Sequence, residues 1–127
     1  MTQERKSILL VDDDEDLLEQ VRAVVEKEYT TDVASSGDEA IKKVAAKRYD
    51  VIVMDVMMQG LGDGLDAAKK LKQDSRTKDI PIIMLTSVHK HYDYRSQIDE
   101  NFFPNDKWLD KPADPKVLMQ EIKKLIP

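Results

Sequence analysis

Three continuous apolar runs stand out along the chain, at Ile8–Val11, Val51–Met54 and Ile82–Leu85. None of them alternates with polar residues, which is typical of central parallel strands whose two faces are both covered. Weaker candidates, of the kind expected for edge strands, lie at Thr30–Ala34 and Lys107–Leu109. The pattern therefore predicts five strands.

Helical periodicity fills most of the sequence between these runs. Asp14, Ser36 and Asp114 are typical N-cap residues, Glu39 completes a capping box with Ser36, and Pro115 suits a first helical position. The apolar residues that follow recur at intervals of three and four, as on one face of a helix. The predicted buried stripes are Leu17, Leu18, Val21, Val24 and Val25; Ala40, Ile41, Val44 and Ala45; and Leu118, Ile122 and Leu125.

Another helix is predicted from an N-cap at Asp63, with Leu65, Ala68 and Leu71 on its buried face. The stretch from His89 to Asp106 has a weaker pattern, in which HKHYDYRSQI is a poor helix candidate and NFFPND is typical of a loop. The element order is then β-α-β-α-β-α-β-(α)-β-α. Right-handed crossovers predict an α/β fold in which helices cover a mostly parallel sheet.

Composition favours one folded domain spanning residues 1–127, with 41% hydrophobic and 35% charged residues. The net charge of -5 gives no indication of nucleic-acid binding. The absence of cysteine excludes disulfide and thiolate chemistry and makes the cytosol the simplest compartment. The apolar run near the amino terminus is too short for a signal peptide, and no segment is long and apolar enough for a membrane span. We expect either a complete small protein or the first domain of a longer one.

Polar residues follow the predicted strands at the point where each one ends. Asp12 and Asp13 follow ILLV, Asp55 follows VIVM, Thr86 follows IIML and Lys111 follows WLD. Because the carboxyl ends of parallel strands lie at one edge of a sheet, these side chains should converge in one pocket. Three carboxylates, a hydroxyl and an ammonium suit a divalent cation and a phosphoryl group.

Charge repulsion limits what such a pocket can be. Two carboxylates about 4 Å apart repel by roughly 4 kcal/mol at an effective dielectric constant near 20. Three of them need a cation or Lys111 nearby, or else their pKa values must rise. A few carboxylates, completed by carbonyl and water ligands, favour magnesium over calcium.

Four segments, LLVDDDEDL, VIVMDVMM, MLTS and WLDKP, resemble in order and spacing the receiver domain of two-component response regulators. The resemblance covers nearly the whole chain. It implies a flavodoxin-like, doubly wound, five-stranded parallel sheet with strand order 2-1-3-4-5 and about five helices. Strands one and three are neighbours in that order, which places Asp12, Asp13 and Asp55 at the topological switch point.

The resemblance also implies roles for the site residues. Asp55 corresponds to the phosphoryl acceptor and also to a magnesium ligand. Asp13 corresponds to a direct ligand, Asp12 to an acidic neighbour that acts largely through water, and the backbone carbonyl of Met57 to a further ligand. Mg2+ is thus the expected cofactor.

Thr86 and Lys111 correspond to the residues that hold phosphoryl oxygens, and with Asp55 they form the expected catalytic set. Trp108 stands where the family has its switch aromatic. Phosphorylation is expected to draw Thr86 toward the phosphoryl group and to change the space available to the ring.

The implied function is a switch that receives a phosphoryl group from the phosphohistidine of a sensor histidine kinase or a phosphotransfer protein. Such a domain is not an enzyme acting on a separate substrate, although it catalyses its own phosphorylation and dephosphorylation. The signal passes to a downstream protein or a fused output domain, and a phosphorylation-dependent dimer is allowed. We expect a cytoplasmic location, without nucleic-acid or membrane binding by this domain.

Two alternatives are weighed against this function. A haloacid-dehalogenase-like hydrolase requires a second aspartate two residues after its nucleophile, and Met57 occupies that position. A phosphorylation-independent adaptor is favoured only by departures from the family pattern. These are the glycine-rich loop Gln59–Gly64, which lacks the usual proline, and a long segment between Thr86 and Lys111.

Overall fold

The computed structural model describes residues 6–55, 63–86, 107–110 and 114–126. Within these ranges, five strands form one parallel sheet in the order β2-β1-β3-β4-β5. The predicted fold class and strand order are confirmed. The strands are β1 (Ser7–Val11), β2 (Thr30–Ala34), β3 (Val51–Asp55), β4 (Ile82–Thr86) and β5 (Lys107–Asp110).

Four helices lie within the described residues: α1 (Glu15–Val25), α2 (Gly37–Ala46), α3 (Asp63–Gln73) and α4 (Pro115–Leu125). The additional helix considered after His89 lies outside the part of the chain that the structure describes. No helix in the described ranges is long and apolar enough to cross a membrane.

The predicted caps explain where three of these helices begin. Asp14 accepts a hydrogen bond from the Leu17 N–H at 3.1 Å, and Asp114 accepts one from the Lys116 N–H at 2.8 Å. Each cap of this kind stabilises a helix by about 1 kcal/mol. Ser36 caps α2 by accepting from the Glu39 N–H at 3.1 Å.

Two local predictions need correction. In the predicted capping box, the Glu39 carboxylate would accept a hydrogen bond from the N–H of the cap residue, Ser36. It accepts instead from the N–H of Ser35, one residue before the cap, at 2.7 Å. The α3 helix spans Asp63–Gln73, and because the residues just before it lie outside the described ranges, the cap at Asp63 stays a prediction. Ala45, predicted on the buried stripe of α2, is exposed.

The sheet is covered on both faces, as the unbroken apolar runs predict. Alternate residues of β1 enter different cores: Leu9 and Val11 pack in the cluster that includes residues of α2 and α3, while Ile8 and Leu10 pack with α1 and α4. The strands β3 and β4 divide in the same way. Both layers therefore fix the carboxyl edge of the sheet, where the polar residues lie.

Candidate functional site

Asp12 and Asp55 occupy neighbouring positions at the carboxyl edge of the sheet. In the register of β1 with β3, Val11 pairs with Met54, so Asp12 and Asp55 each follow a paired residue. Both carboxylates are almost completely buried, with 3% and 4% of the residue exposed. The predicted convergence of strand ends is therefore confirmed for these two residues.

The backbone holds Asp12 at the turn between β1 and α1. Its N–H donates to the carbonyl of Ala34 at 3.1 Å, which extends the β1–β2 ladder by one residue. Its Oδ1 accepts from the Asp14 N–H at 3.0 Å, and Asp14 in turn caps α1. The sequence reasoning missed the Asp12–Asp14 bond, although an aspartate two residues before a helix cap is a known turn signal.

Asp13 completes a group of three acids. One carboxylate oxygen from each of Asp12, Asp13 and Asp55 lies within 4.8 Å of the others. Asp13 is exposed, whereas its two partners are buried, so the group opens to solvent on one side. The amino terminus of α1 follows directly, and its partial positive charge offsets part of the repulsion.

This donor set fits a magnesium ion. All three side chains offer hard, anionic oxygen atoms, and Mg2+ binds through a few carboxylates while retaining water. Asp12, Asp13 and Asp55 are close enough to contribute ligands to one ion. The three acids thus lie together at the carboxyl edge of the sheet, where the predicted strand ends were expected to meet.

The other predicted site residues are placed only in part. The backbone of Thr86 ends β4 one position beyond Leu85, the register partner of Asp55. Lys111 immediately follows the last residue of β5, and Asp110 pairs with Thr86. Met57 and Lys111 themselves lie outside the described residues, as do the side chains of Thr86 and Trp108.

The comparisons with known proteins agree with this architecture. Residues 8–123 match the family model of the response regulator receiver domain. The chain is 32% identical over 122 residues to the alkaline phosphatase synthesis transcriptional regulatory protein PhoP of Bacillus subtilis, covering 95% of this chain and 48% of that protein. It is 36% identical over 120 residues to the heme response regulator HssR of Staphylococcus saprophyticus, covering 93% and 50%. The chain thus spans about half the length of these relatives.

Solved structures show the same fold. The chemotaxis protein CheY4 of Vibrio cholerae superimposes with a TM-score of 0.83 at 27% identity, over 95% of this chain and 98% of that one. The signal receiver domain of a signal transduction histidine kinase from Syntrophus aciditrophicus gives 0.83 at 28% identity, over 95% and 89%.

Proposed function

The chain belongs to the family of response regulator receiver domains, and we propose that Asp55 is the residue at which it is phosphorylated. The observation that carries this proposal is the acidic group at the carboxyl edge, where oxygens of Asp12, Asp13 and Asp55 lie within 4.8 Å. Asp55 ends a fully buried strand, so its carboxylate is held in one place. A fixed carboxylate beside a cation site is suited to act as a nucleophile toward phosphorus.

The proposed reaction is a phosphoryl transfer. An oxygen of Asp55 attacks the phosphorus of a phosphohistidine, the O–P bond forms as the P–N bond breaks, and the released imidazole takes up a proton. Most of the catalysis in such a step comes from positioning and charge neutralisation. A bound magnesium ion supplies positive charge for the phosphoryl oxygens.

The surrounding residues have distinct roles in this proposal. Asp12 and Asp13 hold the ion, together with Asp55 and the backbone carbonyl of Met57. Thr86 and Lys111 bind phosphoryl oxygens. The register of β4 with β5 supports this assignment, because it aligns the ends of both strands beside the end of β3.

We extend the proposal to the whole chain and its partners. Residues 1–127 form one receiver domain that is phosphorylated by a sensor histidine kinase or a phosphotransfer protein in the cytoplasm. It catalyses its own phosphorylation and dephosphorylation, and acts on a downstream protein or a fused output domain. A phosphorylation-dependent dimer is compatible with this role, and the domain itself binds neither nucleic acid nor membrane.

Intact-mass spectrometry after incubation with acetyl phosphate tests the proposal. The wild type should gain the mass of one phosphoryl group with magnesium and none with a chelator. Asp55→Asn should gain none, whereas Asp79→Asn, the same change at an exposed position outside the acidic group, should behave as wild type. Equal labelling of Asp55→Asn and wild type would refute the assignment, and a wild type that is never labelled would favour the adaptor.

A further inference from the structure

Three aspartates follow one another at the turn between β1 and α1. Each of them is of a type preferred at a helix N-cap, because the carboxylate can accept from a free backbone N–H at the helix start. The third one takes this place: Asp14 Oδ1 accepts from the Leu17 N–H at 3.1 Å. Asp12 and Asp13 belong instead to the acidic group with Asp55.

Both backbone polar groups of Asp14 also form hydrogen bonds at this turn. Its N–H donates to Oδ1 of Asp12 at 3.0 Å, and its carbonyl accepts from the Leu18 N–H at 3.0 Å, which is the first hydrogen bond of α1. The backbone of Asp14 is extended, with φ -91° and ψ 102°, as is usual for an N-cap residue. In this conformation the N–H points back at the Asp12 carboxylate. The helix cap and the orientation of Asp12 therefore depend on the same residue.

Asp12 has little freedom once these bonds are made. Its own N–H donates to the carbonyl of Ala34 at 3.1 Å, and only 3% of the residue is exposed. Because Oδ1 is fixed by the Asp14 N–H, the direction of the other carboxylate oxygen is fixed as well. Contacts that orient a metal ligand without touching the metal commonly change metal affinity by about 10- to 100-fold when they are removed.

We propose that Asp14 is a positioning residue for the magnesium site, because it caps α1 itself and so leaves the carboxylates of Asp12 and Asp13 for the ion. In this role Asp14 acts through its two neighbours. The inference rests on the proposed function, in which the acidic group binds magnesium.

Removing the cap should move the start of α1 by one residue. Alanine is a poor N-cap but the most favourable residue inside a helix, so position 14 of Asp14→Ala should take helical dihedral angles. Its N–H then turns toward the helix axis and away from Asp12. Asp13 becomes the residue before the helix, and its carboxylate is drawn toward the free N–H groups of the first turn. Both changes take ligand oxygens away from the ion.

The test compares serine and alanine at position 14, since the two variants carry the same charge and differ by one oxygen atom. Asp14→Ser keeps an acceptor for the cap, Asp14→Ala removes it, and Asp14→Asn is a second variant that keeps it. The matched control is the same pair of substitutions at Asp114. That residue caps α4 by accepting from the Lys116 N–H at 2.8 Å and lies outside the acidic group.

Magnesium affinity is measured by NMR titration of each folded variant. Asp14→Ala should bind magnesium about tenfold more weakly than Asp14→Ser, whereas Asp14→Ser and Asp14→Asn should bind it alike. Both Asp114 variants should bind as tightly as the wild type, although the alanine variant has also lost a cap. Without magnesium, the Cα chemical shift of residue 14 should move into the helical range in Asp14→Ala and not in Asp14→Ser.

Equal magnesium affinity in Asp14→Ala and Asp14→Ser would overturn this inference, and so would an equal loss of affinity in Asp114→Ala. An extended residue 14 in metal-free Asp14→Ala would also refute it, because the cap would then not hold the turn. A wild type that binds no magnesium would overturn the proposed function itself. The chemical shifts of the metal-free proteins distinguish these two failures.

Discussion

Neutralising one acid of the site should change stability in opposite directions with and without magnesium. Asp12 and Asp55 are both buried, and their nearest ligand oxygens lie no more than 4.8 Å apart. At that separation, two full charges repel by about 3.5 kcal/mol for an effective dielectric constant of 20. The Asp14 N–H and the start of α1 offset part of this repulsion, so we expect Asp55→Asn to raise the free energy of unfolding by about 1–2 kcal/mol in a chelator.

With magnesium bound, the wild type should become the more stable of the two proteins. A ligand at ten times its Kd raises the free energy of unfolding by about 1.4 kcal/mol, which corresponds to roughly 3–6 °C in Tm for a domain of this size. Asp55→Asn removes one ligand and one charge. Magnesium should therefore raise the free energy of unfolding of this variant by less than half as much as it raises that of the wild type.

Thermal unfolding by calorimetry, in chelator and across a magnesium titration, measures both effects. The control is Asp79→Asn, which changes the same charge at an exposed loop position and should retain the wild-type magnesium increment. A lower apo Tm for Asp55→Asn than for wild type, together with equal magnesium increments in the two proteins, would refute the reasoning.

Three further outcomes are expected. The Tyr49 hydroxyl donates to Asp32 at 2.7 Å, and this bond is the main cause of the lowered pKa of Asp32. The stability that ionised Asp32 adds to the fold is therefore complete above the ordinary carboxyl pKa of 3.8, and it is lost as pH falls through the lower pKa of the folded state. Urea titrations should give free energies of unfolding for wild type and Tyr49→Phe that differ by about 1–2 kcal/mol near neutrality and converge in acid. Trp108, the only tryptophan, should change its fluorescence with beryllofluoride and magnesium, and an unchanged spectrum at full occupancy would mark it as a packing residue. Met57→Asn with Val88→Glu should shorten the life of the phosphorylated form, since neither native side chain can orient water; phosphate loss after donor removal measures this.

The helices and strands that the sequence predicts most firmly are those whose position is determined by a single local feature, such as an apolar run or a capping side chain. The apolar runs beginning at Ile8, Val51 and Ile82 lead to buried central strands because no polar residue interrupts them. Asp14 and Asp114 mark helix starts because their side chains satisfy free backbone N–H groups. Local signals of this kind need no knowledge of the tertiary fold.

Interactions between distant segments could not be predicted in the same way. Lys72 looks like a solvated lysine in the sequence, yet it is buried and donates to the carbonyls of Lys78 and Ile80 at 3.1 Å and 2.9 Å. Lys43 likewise gives no sign that it covers the edge of β2, because that contact depends on how α2 packs beside the strand.

The candidate site was predicted in composition but not in geometry. The order of Asp12, Asp13 and Asp55 at strand ends indicated a shared edge, and the parallel register brings them together. The contrast between the exposed Asp13 and its two buried partners depends on the turn into α1, which residue order alone does not define.

Chemical mapping of the phosphorylated position tests the central claim most directly. Borohydride reduces an acyl phosphate to an alcohol, so a phosphorylated aspartate becomes homoserine, which tandem mass spectrometry can locate in the chain. We predict conversion at position 55 alone, and only in samples that contained both a phosphodonor and magnesium. Conversion at position 12 or 13, or none in protein that has gained the mass of a phosphoryl group, would contradict the assignment of Asp55 as the phosphoryl acceptor.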